Sequence, residues 1–188
     1  MAFDSLFVFQ ILGAVAFVLA AAKIAHWLWL YVGLPLRFSG TRLAERYGPG
    51  SWALITGASD GLGKAFAEEL ARHGFNLVLV SRTQSKLNCL KDELQALDVQ
   101  VRTLAVDLSD TSPHTSERLA NAVQELDLSM LINCVGATVH RRFADVPASK
   151  LRHLLAVNVT TTATVTHAML PFLLRHRAST GRRSALLN

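Results

Sequence analysis

The sequence predicts an α/β fold, a doubly wound parallel sheet of about five strands preceded by a membrane-spanning helix. From residue 51 onward, short apolar runs alternate with helical periodicity, a pattern typical of parallel βαβ units. Before it, the stretch from Leu6 to Ala22 is apolar except for Gln10, which predicts the helix. We therefore divide the chain into an anchor (1–36), a linker (37–50) and a sheet domain (51–188).

The composition favours a folded chain. Of its 188 residues, 51% are hydrophobic and 18% are charged, which excludes a disordered or fibrous protein. The net charge is +5, but no block of five like charges occurs, so we expect no nucleic-acid partner. Two cysteines cannot form a disulfide framework, and the seven histidines lack metal-ligand spacing, so we predict no metal site.

The amino-terminal apolar run is long enough to cross a bilayer. Leu6 to His26 supplies the roughly 20 residues that span a hydrocarbon core of about 30 Å. Aromatic residues that favour the membrane interface follow it: Trp27, Trp29 and Tyr31. A cleaved signal peptide and a buried soluble helix are the alternatives, although the flank before the run carries Asp4 and no basic residue.

The charges beside this run predict its orientation. Lys23 lies near the end of the run, and the next basic residues follow it: Arg37, Arg42 and Arg46. Because cytoplasmic flanks carry the excess of Lys and Arg, we expect residues 37–188 to face the cytosol.

The elements of the sheet domain follow from apolar patterning. The predicted strands are Trp52–Ile55, Asn76–Val80, Gln100–Val106, Met130–Ile132 and Ala185–Leu187. Spacings of three or four residues predict the intervening helices: Leu62, Phe66 and Leu70; Leu87, Leu90, Leu94 and Leu97; Leu119, Val123 and Leu126. Residues 156–175 favour a strand by propensity, but we predict a helix because a parallel sheet needs a crossover before its last strand.

A glycine-rich loop, Thr56–Gly63, joins the first strand to the first helix. Gly57 allows a tight turn, Gly61 lets the backbone approach a pyrophosphate, and Gly63 permits close helix–strand packing. The helix amino terminus offers N–H groups and its positive dipole end to phosphates. Glycines in a loop are often only turns, but this strand–loop–helix context predicts a Rossmann-type dinucleotide site.

The end of the second strand predicts which dinucleotide binds. NAD sites place Asp or Glu there to accept a hydrogen bond from the ribose 2′-hydroxyl. This chain has Ser81 at that position, followed by Arg82. A guanidinium pairs bidentately with phosphate oxygens, so we predict NADPH. The alternative is that Arg82 is only a solvated surface charge.

The spacing Gly-x3-Gly-x-Gly resembles that of the short-chain dehydrogenase/reductase family. Asp107 matches the family acid that contacts adenine, and Asn133–Gly136 resembles the Asn-Asn-Ala-Gly motif with Cys134 replacing the second Asn. Asn158 matches the Asn of the catalytic tetrad, and it is the one catalytic residue that the resemblance implies here. The implied cofactor-binding residues are Gly57, Ser59, Asp60, Gly61, Leu62, Gly63, Ser81, Arg82, Asp107, Leu108, Asn133 and Gly136.

The anchor, together with Tyr47–Ala53 and Ser81–Leu87, resembles the membrane-anchored branch of very-long-chain 3-oxoacyl-CoA reductases and hydroxysteroid dehydrogenases. The resemblance implies NADPH-dependent reduction of a long-chain 3-oxoacyl-CoA to the 3-hydroxyacyl-CoA. It implies fatty-acid elongation at the endoplasmic reticulum membrane, with other elongation subunits as partners. A hydroxysteroid or retinoid dehydrogenase and a non-catalytic nucleotide-binding module are the alternatives.

The family's active site also uses a Ser and a Tyr-x3-Lys pair. Tyr31 and Tyr47 are the two tyrosines, both precede the glycine loop, and neither begins a Tyr-x3-Lys sequence. We therefore expect that the chain as given is a fragment without the catalytic Ser, Tyr and Lys, and that it is inactive alone.

Overall fold

The computed structural model describes residues 5–34 and 41–188. The chain divides after Arg42 into two compact units. The predicted boundary between anchor and linker, at residues 36 and 37, lies outside the described residues, as does Asp4.

The first unit contains one long helix. α1 (Ser5–Leu28) continues into a π-helical turn, Trp29–Gly33. Residues Phe7–Gly33 have a mean hydropathy of 2.2 in their most apolar window, and no part of that window is buried within the described structure. The predicted helix is therefore confirmed as a candidate membrane span by its length and composition.

The second unit contains a parallel sheet flanked by helices. α2 (Thr41–Tyr47) lies in the predicted linker and precedes the sheet. The strands are β1 (Trp52–Thr56), β2 (Asn76–Ser81), β3 (Val101–Ala105), β4 (Leu128–Asn133) and β5 (Ala185–Leu187). All are parallel, in the order β3-β2-β1-β4-β5. This order confirms the predicted α/β fold.

Helices connect successive strands and cover both faces of the sheet. They are α3 (Gly61–Arg72), α4 (Gln84–Gln95), α5 (Pro113–Val123), α6 (Ala148–Leu155) and α7 (Thr161–Thr180). Every residue of β1 and β4 is buried, as expected for strands covered on both faces. Alternate strand residues therefore enter two cores, so that Ile55 packs with residues of α3 and α4 while Leu54 packs with residues of α5 and α7.

The threonine-rich segment is helical, as predicted. A π-helical turn (Ala156–Thr160) joins α6 to α7, and α7 continues past Pro171 to Thr180. Two hydroxyls donate to carbonyls four residues earlier, Thr162 to Asn158 and Thr164 to Thr160. Tertiary packing outweighs β propensity here, because Val165 and Met169 are buried against the sheet.

Some predicted helix faces were wrong in detail. Leu62 is 74% exposed, and the face of α3 that is buried consists of Gly63, Ala67, Leu70 and Ala71. Gly63 belongs to this face because the start of α3 packs closely against the Gly57 carbonyl of the preceding loop. Leu97 lies beyond α4 and is 41% exposed, whereas Leu126 is buried but follows the end of α5.

Candidate functional site

The carboxyl ends of β1, β2, β3 and β4 open into a cleft of about 700 Å³. The cleft lies where the strand order reverses between β1 and β4, which is where ligands bind in open α/β sheets. Ten of the predicted site residues line it: Gly57, Ser59, Asp60, Gly61, Leu62, Ser81, Arg82, Asp107, Leu108 and Gly136. Gly63, Asn133 and Asn158 do not line the cleft. They contact residues that support its walls.

Two glycines of the loop allow backbone segments to meet. Gly57 has φ +67°, and a Cβ there would lie 2.9 Å from both the carbonyl oxygen of Cys134 and the amide nitrogen of Val135. A Cβ on Gly63 would overlap the carbonyl oxygen of Gly57 and would lie 2.8 Å from its carbonyl carbon. A side chain at either position would therefore push the loop away from β4 or from α3.

The third glycine leaves room for a ligand. A Cβ on Gly61, which has φ +53°, would meet nothing within 4 Å in the described chain. Asp60 caps α3 by accepting a hydrogen bond from the Gly61 N–H at 2.8 Å. The backbone bond from the Lys64 N–H to the Asp60 carbonyl begins the helix, so the N–H groups of Leu62 and Gly63 precede the helical ladder. Open space beside free N–H groups fits a pyrophosphate.

Thr56 holds the glycine loop against the loop after β4, and the sequence did not single it out. Its buried Oγ1 accepts hydrogen bonds from the N–H groups of Cys134, at 3.1 Å, and Val135, at 3.3 Å. Burial raises the pKa of the neighbouring Cys134 thiol. In the sequence, Thr56 is recognisable only as a polar residue at the end of an apolar strand. That pattern does not predict which residues it contacts.

The end of β2 presents a cation and no carboxylate. Ser81 is buried, and its Oγ accepts a hydrogen bond from the Thr83 N–H at 3.4 Å. Arg82 is exposed at the cleft, and within the described ranges its guanidinium has no carboxylate partner within 4.0 Å. This position therefore suits an anionic group better than a ribose hydroxyl.

Asp107 provides an acceptor at the end of β3. Its Oδ1 accepts hydrogen bonds from the N–H of Ser109, at 2.9 Å, and from its hydroxyl, at 2.8 Å. These bonds, the backbone one above all, hold the pKa of the Asp107 carboxyl below its usual value, and the charges of Arg82 and His153 contribute. The carboxylate is therefore ionised at neutral pH.

The two predicted asparagines hold backbone and side chains in place. Asn133 is buried, and its Nδ2 donates to Thr166 Oγ1 at 3.1 Å and to Asn188 Oδ1 at 2.8 Å. Asn158 donates to the carbonyl of Ala137 and accepts from its N–H, both at 2.8 Å. Asn158 thereby fixes the loop after β4, whose Gly136 and Ala137 line the cleft.

Two lysines and a histidine of the cleft were not predicted: Lys86, Lys150 and His153. Lys86 lies in the first turn of α4, with its Nζ 3.7 Å from Asp60 Oδ2. The other two lie on α6, which follows β4 in the chain but reaches the side of the cleft near Asp107. Neither tyrosine lines the cleft within the described structure.

A sequence profile described as "short chain dehydrogenase" matches residues 51–182, from the residue before β1 to the turn that precedes β5. The chain belongs to the short-chain dehydrogenase family. The matched stretch includes the glycine loop and every strand end that forms the cleft, so the family assignment covers the site as well as the fold.

Curated relatives carry a more specific name. The chain is 41% identical over 163 residues to a very-long-chain 3-oxoacyl-CoA reductase of Aspergillus clavatus, covering 85% of this chain and 45% of that protein. It is 42% identical over 143 residues to the Neurospora crassa protein of that name, covering 74% and 43%. The chain thus spans a little under half the length of these relatives.

Solved structures of the family share the fold. A 7β-hydroxysteroid dehydrogenase matches with a TM-score of 0.64 and 31% identity over 76% of this chain and 52% of its own. An Agrobacterium tumefaciens 3-oxoacyl (acyl-carrier-protein) reductase with NADP bound matches with a TM-score of 0.65 and 26% identity, covering 74% and 54%. The NADH-dependent reductase A1-R′ complexed with NAD matches with a TM-score of 0.67 and 25% identity, covering 73% and 58%. Two of these three neighbours therefore hold a nicotinamide cofactor, NADP in one and NAD in the other.

Proposed function

We propose that the complete protein uses NADPH to reduce a long-chain 3-oxoacyl-CoA to the 3-hydroxyacyl-CoA in very-long-chain fatty-acid elongation. The observation that carries the cofactor part is the cleft itself, in which the glycine loop and the Ser81–Arg82 strand end face one space. The substrate part is supported by the names of the relatives at about 40% identity.

Different residues of the cleft bind different parts of the cofactor. The glycine loop and the first-turn N–H groups of α3 bind the pyrophosphate, and Arg82 binds the 2′-phosphate. Asp107, ionised, accepts a hydrogen bond from the adenine amino group. Asn158 positions the loop at Ala137 that forms the far wall. When bound, NADPH supplies the hydride.

Turnover by the complete protein tests this function. Membranes from cells that express it should oxidise NADPH on addition of a long-chain 3-oxoacyl-CoA, and the Gly57→Val variant should not, because its Cβ meets the Cys134–Val135 backbone. Arg177→Ala, which removes an exposed cation near the end of α7, is the matched surface control. A rate of NADPH oxidation that does not depend on added acyl-CoA would contradict the proposal.

A steroid ketone is the second candidate substrate. The solved 7β-hydroxysteroid dehydrogenase, at 31% identity, favours it, and a cofactor site of this kind serves either substrate. The same membranes should therefore be given steroid and retinoid carbonyl compounds beside the acyl-CoA. Turnover restricted to the steroid would replace the first candidate by the second.

We also propose that α1 anchors the protein in the endoplasmic reticulum membrane with residues 37–188 in the cytosol, near other elongation subunits. The apolar span Phe7–Gly33 and the basic residues after it support this orientation. Protease added to sealed microsomes should then digest the domain. Asn158-Val159-Thr160 is a formal glycosylation acceptor, and we expect it to stay bare.

Because the amide of Asn158 is engaged by Ala137, a bare Asn158 is weak evidence alone. The exposed Arg182→Asn substitution creates a second acceptor sequence ending at Ser184. Glycan at either position in microsomes would show that the domain faces the lumen.

A further inference from the structure

An ion pair joins the glycine loop to the start of α4 at one rim of the cleft. Asp60 belongs to the glycine loop and Lys86 to the first turn of α4, and their side chains approach to 3.7 Å between Oδ2 and Nζ. The other oxygen of Asp60 caps α3 through the Gly61 N–H. The capping bond fixes the carboxylate beside the proposed pyrophosphate site.

This pair is poorly suited to a structural role. The two side chains are 85% and 58% exposed, and exposed ion pairs add little to stability. At 3.7 Å the Lys86 ammonium lies beyond ordinary hydrogen-bond length, so its three donors stay available to a ligand. A carboxylate this close to a phosphate site would repel the ligand unless a cation offset it.

The end of α4 adds further positive character to the same place. Thr83 precedes the helix and makes no side-chain capping bond, and the Leu87 N–H donates to the Thr83 carbonyl. The first-turn N–H groups of α4 therefore precede the helical ladder, at the positive end of the helix dipole. Arg82 and Lys86 flank this helix end, and both line the cleft.

We propose that Lys86 is a further specificity-determining residue, which binds the nucleotide 2′-phosphate together with Arg82 while Asp60 opposes that binding. The ligand class is a nucleotide that carries a 2′-phosphate monoester. The inference rests on the proposed use of NADPH. It goes beyond that proposal in two ways. Lys86 is a second cation that strengthens binding of the 2′-phosphate, and Asp60 weakens that binding.

Equilibrium binding of two probes tests the inference without turnover. 2′,5′-ADP and 5′-AMP differ only in the 2′-phosphate, and calorimetric titration of the detergent-solubilised complete protein gives their dissociation constants. Lys86→Ala should weaken 2′,5′-ADP about tenfold or more, the usual effect of losing a hydrogen bond to a charged group. Binding of 5′-AMP should change less than about twofold. Lys86→Arg should restore most of the difference.

Two further variants sharpen the test. Asp60→Asn keeps an oxygen for the Gly61 N–H but removes the charge, so it should tighten 2′,5′-ADP relative to 5′-AMP. Lys91→Ala removes a cation from the same helix outside the cleft lining, and it should leave the ratio of the two probes unchanged. The preference for 2′,5′-ADP should also fall as salt rises, because the contacts are exposed.

The outcomes separate this inference from the proposed function. If wild-type protein prefers 2′,5′-ADP and Lys86→Ala leaves that preference intact, or weakens both probes equally, the role of Lys86 is refuted and NADPH use stands. If wild-type protein shows no preference for 2′,5′-ADP, the use of NADPH is refuted as well.

Discussion

The carboxamide of Asn158 makes two hydrogen bonds with the backbone of a single residue, Ala137, which lies 21 positions earlier. The pair ties the π-helical turn between α6 and α7 to the loop that follows β4. Because that loop lines the cleft, the wall of the cleft depends on one side chain of the helix behind it. Asn158 is in this sense a positioning residue.

Asn158→Ala should therefore loosen this loop. Losing two partly exposed hydrogen bonds should lower the free energy of unfolding by about 1–2 kcal/mol, and hydrogen exchange should rise at the Ala137 amide. Asn121→Ala, an exposed substitution on α5, is the matched control. Unchanged exchange in residues 134–142 would show that the loop holds its place without Asn158.

Gly63→Ala should damage the glycine loop through overpacking. The new Cβ overlaps the carbonyl of Gly57, which is backbone and cannot rotate aside, so we expect a loss of about 1–3 kcal/mol in unfolding free energy. Urea denaturation measures it. In Gly136→Ala the new Cβ meets only Asn158 Oδ1, at 3.7 Å, so that variant should remain near wild type. Equal losses in both variants would contradict the packing argument.

Arg82→Ala should change cofactor choice. Loss of a charged hydrogen bond should weaken NADPH binding by about 1.5–3 kcal/mol, with a smaller effect on NADH. Dissociation constants for the two cofactors, measured by fluorescence titration of the complete protein, check this. The control is again Arg177→Ala. Equal weakening of both cofactors would mean that Arg82 does not read the 2′-phosphate.

Asp127→Ala should destabilise the amino-terminal end of β4, away from the cleft. His176 on α7 is buried, and its Nδ1 lies 2.6 Å from Asp127 Oδ1, while its Nε2 is buried without a partner in the described chain. The variant leaves the ring without its hydrogen bond and should cost about 1–3 kcal/mol. Urea denaturation measures this loss, with the exposed His167→Ala as control.

The double variant Asp127→Ala/His176→Phe distinguishes a lost hydrogen bond from lost packing. Replacing both polar partners by apolar groups is often close to neutral, so the double variant should be more stable than Asp127→Ala alone. A double variant no more stable than Asp127→Ala would show that the pair contributes through packing and not through its hydrogen bond.

The sequence predicted the parts of the fold that depend on local backbone demands. The apolar runs of β1, β2 and β4 identified buried strands, and Gly57, at φ +67°, was identifiable because few other residues adopt that conformation. The helix over residues 156–175 could be predicted only from chain topology, against the propensity of its threonines. The spacing of Phe66 and Leu70 predicted the core-facing side of α3, but Leu62 is exposed because the start of α3 lies at the cleft.

By itself, the sequence determined the family, the order of elements and the glycine loop, since each follows from residue types and short spacings. Only the tertiary structure decided which side chains meet across the cleft. Thr56 and Cys134 lie 78 positions apart, and the Asn158–Ala137 contact also joins separate elements. Such contacts depend on how strands and helices pack against one another. The type of a residue does not indicate which distant residue it will contact. The contact of Lys86 with Asp60 was hidden for the same reason: it exists because the loops after β1 and β2 end at one edge of a parallel sheet.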